Sequence, residues 1–346
     1  YWRQMNPDLK TGQNHRELLL FEHSGHPFEG YAQLACKVAD QVLWEQRLPV
    51  SLNASQRLSQ SISIELPAVQ ADVKGTLSST LLDTAGNEVY SMHRDVMLYA
   101  SIQTNVLAGR MVYGLDVPVE MVQLLSQWQI QFKALTSVTD VAILPKDATL
   151  LVGKDVASEK LQSSAQAIGA FVSLGGKVLM LARAEMPDIF PSQIITRQGQ
   201  LNGATQGFIR SPHHPFFTQA ILPMDDLDFA YWTDDLLVSD DNCYKPISGN
   251  FHVLVDGGIE LDDALLVELI HGDGRMLVSQ LMLDKLDQTP AAAKVLFNLI
   301  NYLTRSSPRQ QRWGIGCYLK GSDAYAIDLL SKLGWQQYDT SLSNIA

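Results

Sequence analysis

From Glu17 to about Tyr99, apolar and polar residues alternate with period two, and turn residues interrupt the alternation every ten or so positions. Leu18 and Leu20 open the pattern. Ala32, Leu34 and Cys36 alternate with Tyr31, Gln33 and Ala35, and positions 42–50 resume it after Asp40 and Gln41. Ile62, Ile64 and Leu66 alternate with Ser61, Ser63 and Glu65, which predicts a strand with one face in a core and one in water. Positions 75–82 and 88–98 flank Asp83–Asn87, where Gly86 and Asn87 suit a hairpin loop.

About seven strands without a helical segment predict an immunoglobulin-like β-sandwich over 17–102, preceded by a lead-in at 1–16. No Cys-Trp-Cys spacing marks it as an antibody-type domain.

The period changes near Leu107. Met111–Tyr113 reads as a short apolar strand, Asp116 and Pro118 sit where a helix begins, and Met121, Val122, Leu125 and Trp128 share a helical face. Positions 130–135 and 148–153 are further strand candidates, and Asp155 or Ser158 is the expected cap of the next helix. In that helix Ala165, Ile168, Phe171 and Val172 recur at helical spacing, Gly175 and Gly176 end it, and Val178–Leu181 is an unbroken apolar run. Such a run is buried on both faces, as parallel strands are.

Positions 187–241 carry no clear period and read as an ordered excursion with short strands. Strand patterns return at 251–255, 264–270 and 275–283, and Pro290 opens a helix with Val295, Leu296, Leu299, Ile300 and Leu303 on one side. Alternating strands and helices predict a doubly wound α/β domain over 107–305. Residues 306–346 read as a strand-helix extension. Shifted by 205 positions, 112–132 overlies 317–337, pairing Tyr113 with Tyr318 and Leu125 with Leu330, the pattern expected if a second α/β copy begins there.

Composition narrows the function classes. A chain of 346 residues with 46% apolar content suffices for two cores. A net charge of -11 and no basic cluster argue against nucleic acid and anionic membranes, and no apolar run reaches the ~18 residues of a membrane span. Tyr1-Trp2-Arg3-Gln4 does not resemble a signal peptide and is what a segment cut from a longer polypeptide would show. Cys36, Cys243 and Cys317 form neither a disulfide framework nor a zinc knuckle. Asn53-Ala54-Ser55 matches the glycosylation sequon, a short pattern that arises often by chance.

Candidate chemistry is sparse. The first crossover offers Gly114-Leu115-Asp116 in place of a phosphate-binding loop, so no nucleotide or other cofactor is expected. His213 and His214 are adjacent, bracketed by Pro212 and Pro215, and read as a surface or turn pair without a third metal ligand. Asp225, Asp226, Asp228, Asp234, Asp235, Asp240 and Asp241 lack the EF-hand order and read as a solvated acidic face. Cys317 has no following His or Asp partner and reads as a buried strand residue. Phe229, Tyr231 and Trp232 are candidates for stacking on sugar rings, with core packing as the alternative.

The stretch LFEHSGHPFEG, Leu20 to Gly30, followed by the strand pattern, resembles the immunoglobulin-like domain that follows the catalytic barrel in some bacterial glycoside hydrolase family 2 proteins, relatives of β-galactosidase. The opening YWRQMNPD is similar to a chain leaving such a barrel. HGDGRMLVSQLMLD at 271–284 and PAAAKVLFNLINYL at 290–303 resemble an amidotransferase-like, flavodoxin-like domain in the C-terminal parts of these proteins. The resemblance implies an accessory region whose partners are the catalytic barrel, a carbohydrate or a second copy of the chain, in a periplasmic or secreted bacterial protein. The competing enzymatic reading is an amidotransferase-like or sugar-utilisation hydrolase. In class I glutamine amidotransferases, a strand such as 178–181 ends on a nucleophilic cysteine. Here Ala182, Arg183 and Ala184 follow, so no catalytic residue carries over, and Arg183 is expected to bind an anion or pair with a carboxylate.

Overall fold

The computed structural model describes residues 1–4, 6–102, 104–182, 194–197, 203–232, 237–258, 260–284, 286, 289–305, 328 and 332. Arg183, Cys317 and the proposed repeat at 317–337 lie outside the described residues, apart from positions 328 and 332. The chain divides into two compact units. One comprises Tyr1–Ile102 with Ala230–Leu236 and Asp287–Ala291, and the other comprises Gln103–Phe229, Leu237–Leu286 and Ala292–Ala346. The architecture is β in the first and α/β in the second.

The first unit contains β1 (Asp8–Lys10), β2 (Gly12–Phe21), β3 (Phe28–Val38), β4 (Gln41–Leu52), β5 (Arg57–Leu66), β6 (Val73–Asp83) and β7 (Glu88–Tyr99). Five strands pair in the order β1-β7-β6-β3-β4, and β2 pairs with β5. On β5, Ile62, Ile64 and Leu66 are buried while Ser61, Ser63 and Glu65 are exposed, as alternation demands. They join Leu18, Leu34, Cys36, Leu77, Val96 and Leu98 in one core.

Residues expected to be a mere lead-in contribute to that core. Trp2 bridges to Leu18 and is fully buried, Leu9 is fully buried, and β2 starts at Gly12. Isolated apolar anchors in a polar stretch have no period by which to be recognised.

Two turns are fixed by carboxylates. Asp83 accepts the N–H of Asn87 at 2.8 Å and closes the β6–β7 hairpin, where Gly86 has φ 87. Glu22 accepts the Ser24 hydroxyl and the N–H groups of Ser55 (2.8 Å), Ser24 and Gly25 (3.1 Å), and these bonds hold its carboxyl down at about 2. Glu22 therefore ties the turn after β2 to the turn before β5, where Ser55 adopts φ 60.

The second unit is built from β8 (Met111–Leu115), α1 (Val119–Gln127), β9 (Gln131–Ala134), β10 (Thr149–Val152), α2 (Ser158–Ser173), β11 (Lys177–Met180), β12 (Thr196–Arg197), β13 (Phe208–Ile209), α3 (Pro215–Thr218), β14 (Asn242–Tyr244), β15 (Phe251–Gly257), β16 (Asp263–His271) and β17 (Gly274–Ser279), with α4 (Pro290–Thr304) belonging to it from Ala292 onward. Five strands run parallel in the order β9-β8-β10-β11-β17, and β16 and β14 extend the sheet antiparallel. The chain lays β9 on one side of β8 and β10 on the other, so a topological switch lies between β8 and β10.

All four residues of β11 are buried, in line with a strand covered on both faces. Just before it, Gly175 adopts φ 111, donating its N–H to Val172 at 2.9 Å, while the Gly176 N–H reaches Phe171 at 3.0 Å. Only Gly175 holds the left-handed conformation. Gly176 is needed for space, because a Cβ there would lie 2.4 Å from the Phe171 ring. The start of α2 departs from expectation: Ala157 occupies the N-cap with no side-chain cap bond, and Ser158 is already helical. On α4, Val295, Leu296, Leu299, Ile300 and Leu303 are all fully buried, and Phe297 meets Trp128 edge-on at 5.2 Å.

Candidate functional site

Ligands of a doubly wound sheet meet the carboxyl ends of its strands. Beyond β8 the chain reaches Asp116, which holds φ 44 and pairs with Lys160 at 3.1 Å. Beyond β10 it reaches Gly153, where a Cβ would fall 1.8 Å from the Asp116 carbonyl oxygen, so backbone fills the switch point. Lys154 next pairs with Asp284. Beyond β11 come Leu181, buried, and Ala182, half-buried, neither with a nucleophile. The described thiols lie elsewhere. Cys36 and Cys243 are buried, and burial pushes each up to about 11, away from the reactive thiolate.

Among the described residues, a buried polar cluster is drawn from five elements. His252 on β15 and Glu268 on β16 are cross-strand partners and so share a sheet face. His214 Nε2 stands 3.0 Å from Glu268 Oε2, the Tyr302 hydroxyl donates to Oε1 at 2.7 Å, and Arg275 Nη1 reaches Oε1 at 3.2 Å. Arg275 also hydrogen-bonds the Tyr302 hydroxyl and lies over its ring. Burial by itself would raise the Glu268 carboxyl. The His214 and Tyr302 bonds and the charge of Arg275 outweigh it, so its pKa falls below the usual carboxylate value. Burial and the neighbouring Glu268 push the Tyr302 phenol up.

The geometry assigns the His214 tautomer. Its Nδ1 accepts the Phe216 N–H at 3.2 Å, capping α3, so the ring proton sits on Nε2 and points at Glu268. His252 packs 5.3 Å from the His214 ring, and its Nε2 is buried with no hydrogen-bond partner among the described residues.

Donor atoms of His214, His252 and Glu268 all lie within 4.8 Å of one another, a spacing that raises the question of a metal. The donor chemistry fits poorly. A metal-bound imidazole normally donates its second ring N–H, whereas His214 Nδ1 accepts one, and the Arg275 cation already faces the carboxylate. What the cluster can do is join β16, β17, α3 and α4 through one satisfied carboxylate, with His252 of β15 packed against the His214 ring.

The residues singled out from sequence are dispersed. Arg183 lies outside the described residues. Phe229 and Trp232 are 0% and 1% exposed, so neither presents a ring face to solvent, and Tyr231 is half-buried at φ 54. His213 is exposed and His214 buried; the two lie in the turn before α3, as one half of the expectation had it, but only His213 is at the surface. Asp228 breaks the picture of a solvated acidic face: it is fully buried, with both oxygens 3.0 Å from Lys294 Nζ. Glu268, Arg275, Tyr302 and His252 had no signal in sequence, since their partners lie up to 54 positions away.

Comparison with known proteins gives distant likenesses only. No family model matches the chain, and no curated protein matches it. Among solved structures it is similar to a ThuA-like protein from Bacteroides uniformis, at 10% identity and TM-score 0.36, over 59% of this chain and 94% of that one. It is also similar to a β-glucuronidase from glycoside hydrolase family 2, at 9% identity and TM-score 0.25, over 54% of this chain and 20% of that one. A family 2 member from Bacteroides cellulosilyticus matches at 7% identity and TM-score 0.23, over 51% of this chain and 35% of that one. The chain thus spans a fifth to about a third of those two glycoside hydrolases, and its structural neighbours include family 2 proteins that cover about half of it at low identity.

Proposed function

We propose that this chain is a non-catalytic accessory region of a carbohydrate-active glycoside hydrolase, packing on the catalytic barrel or mediating homo-oligomerisation. The observation that supports it is the carboxyl edge of the parallel sheet, where β11 is followed by Leu181 and Ala182 and the β8–β10 switch point is filled by Gly153 against Asp116. The link to glycoside hydrolases rests on the resemblance of residues 20–30, 271–284 and 290–303. In this reading the first unit is immunoglobulin-like, and the second is flavodoxin-like and related to amidotransferases, in keeping with a parallel order that, numbered from β8, runs 2-1-3-4-5. Arg183 follows as a permanent cation that pairs with a carboxylate or an anion and cannot attack a carbonyl. The burial of Phe229 and Trp232 speaks against the sugar-stacking alternative.

The test is turnover by the isolated chain on aryl glycosides and on glutamine, together with its mass in solution. No turnover is expected. Turnover abolished by one point mutation would sink the accessory reading in favour of a hydrolase.

A further inference from the structure

We propose that the His214–His252–Glu268 cluster is an acid-released latch: it holds the Pro212–Thr218 turn closed at neutral pH and lets it open when a proton enters. The cluster is balanced as it stands, with one anion, Glu268, and one cation, Arg275, and with every acceptor position on His214 in use.

A further proton has two places to go. On His214 it must sit on Nδ1, where the Phe216 N–H already points, so the α3 cap is lost. On His252 it creates a second buried cation beside Arg275.

The groups that reach His252 come from each surrounding element. They are Glu268 on β16, His214 at the start of α3 and Arg275 on β17, with Tyr302 of α4 behind Glu268. On the β13 side, Arg210 is engaged with Asp256 at 3.1 Å. Burial outweighs the attraction of Glu268 and holds the His252 imidazole below its ordinary value. The open state therefore binds the proton more readily, and closure weakens as pH falls below about 6.5, the ordinary value for histidine.

The opened segment carries a compact apolar load. Phe216 is 1% exposed, stacks edge-on against Phe217 at 4.7 Å and packs 5.8 Å from Tyr302. Release of the cap exposes this aromatic pair.

The experiment is residue-resolved NMR on the whole chain, reading the His252 ring titration and the amide exchange of Phe216 and Phe217 from pH 7 to pH 5, corrected for intrinsic exchange. One linked proton raises the opening constant by up to about tenfold per pH unit below that value. His252→Gln should flatten that rise, and His214→Asn, which keeps a neutral cap acceptor, should remove the cap-breaking share. An equal rise in wild type, His252→Gln and His214→Asn would overturn the latch. If His252→Gln does not fold, the wild-type titration decides: a His252 that titrates at or above about 6.5 in the folded chain refutes it. Zinc ions that suppress opening at neutral pH and shift both imidazoles would also refute it, by making the cluster a metal site.

Discussion

Replacing Lys294 by Met removes one half of a buried ion pair. Lys294 Nζ lies 3.0 Å from both carboxylate oxygens of Asp228, and the two residues are 2% and 0% exposed. Met preserves most of the aliphatic stem, so little cavity is created and the loss is electrostatic. At that separation the Coulomb attraction is about 5 kcal/mol for an effective dielectric of 20. Breaking a buried pair by removing one partner costs about 3–5 kcal/mol.

The double variant Asp228→Asn with Lys294→Met removes both charges and keeps an acceptor for the Asp225 N–H, which Asp228 binds at 2.8 Å. Its stability should return to within about 1–2 kcal/mol of wild type. Native-state hydrogen exchange of the α4 amides reads the opening free energy of this helix directly. A loss below about 1 kcal/mol in Lys294→Met, or a double variant as unstable as the summed singles, would refute the reasoning.

Gly175→Val forces a β-branched residue to φ 111 and should destabilise the second unit by about 1–2 kcal/mol; an unchanged unfolding curve would show that α2 ends by other means. Glu22 has a folded-state pKa below its unfolded value, so its contribution is present above about 4.5 and is lost as pH falls toward about 2. The gap in urea midpoint between wild type and Glu22→Gln should accordingly shrink from pH 7 to pH 3, and a gap that widens would contradict the bonding described. Cys36 and Cys243 should resist a thiol reagent at pH 8 in the native chain and react once it is unfolded; rapid native labelling of either would show that burial does not control it.

What the sequence disclosed depended on distance along the chain. The alternation around Ile62, Ile64 and Leu66, the buried run at β11 and the apolar side of α4 are local patterns, and each corresponds to an element of the structure. Trp2 was missed because a single anchor has no period. Asp228 stands in sequence among acidic neighbours that suggest solvation, and its partner Lys294 lies 66 positions away. The same reason hid the central cluster: His214 and Glu268 are 54 apart, Glu268 and Tyr302 are 34 apart, and only the pairing of β15, β16 and β17 brings them together. The capping of α2 failed for a different reason. Serine suits a cap by type, yet the backbone is already helical at Ser158 and Ala157 stands at the N-cap.

The central proposal, that the carboxyl edge of β11 carries no nucleophile, is tested most directly by covalent labelling. The whole chain is treated with thiol-directed and serine-directed probes, and every adduct is mapped by peptide mass spectrometry. The account predicts no adduct between Val178 and Pro187, where β11 leads through Leu181 and Ala182 toward Arg183. A covalent adduct on that turn would contradict it.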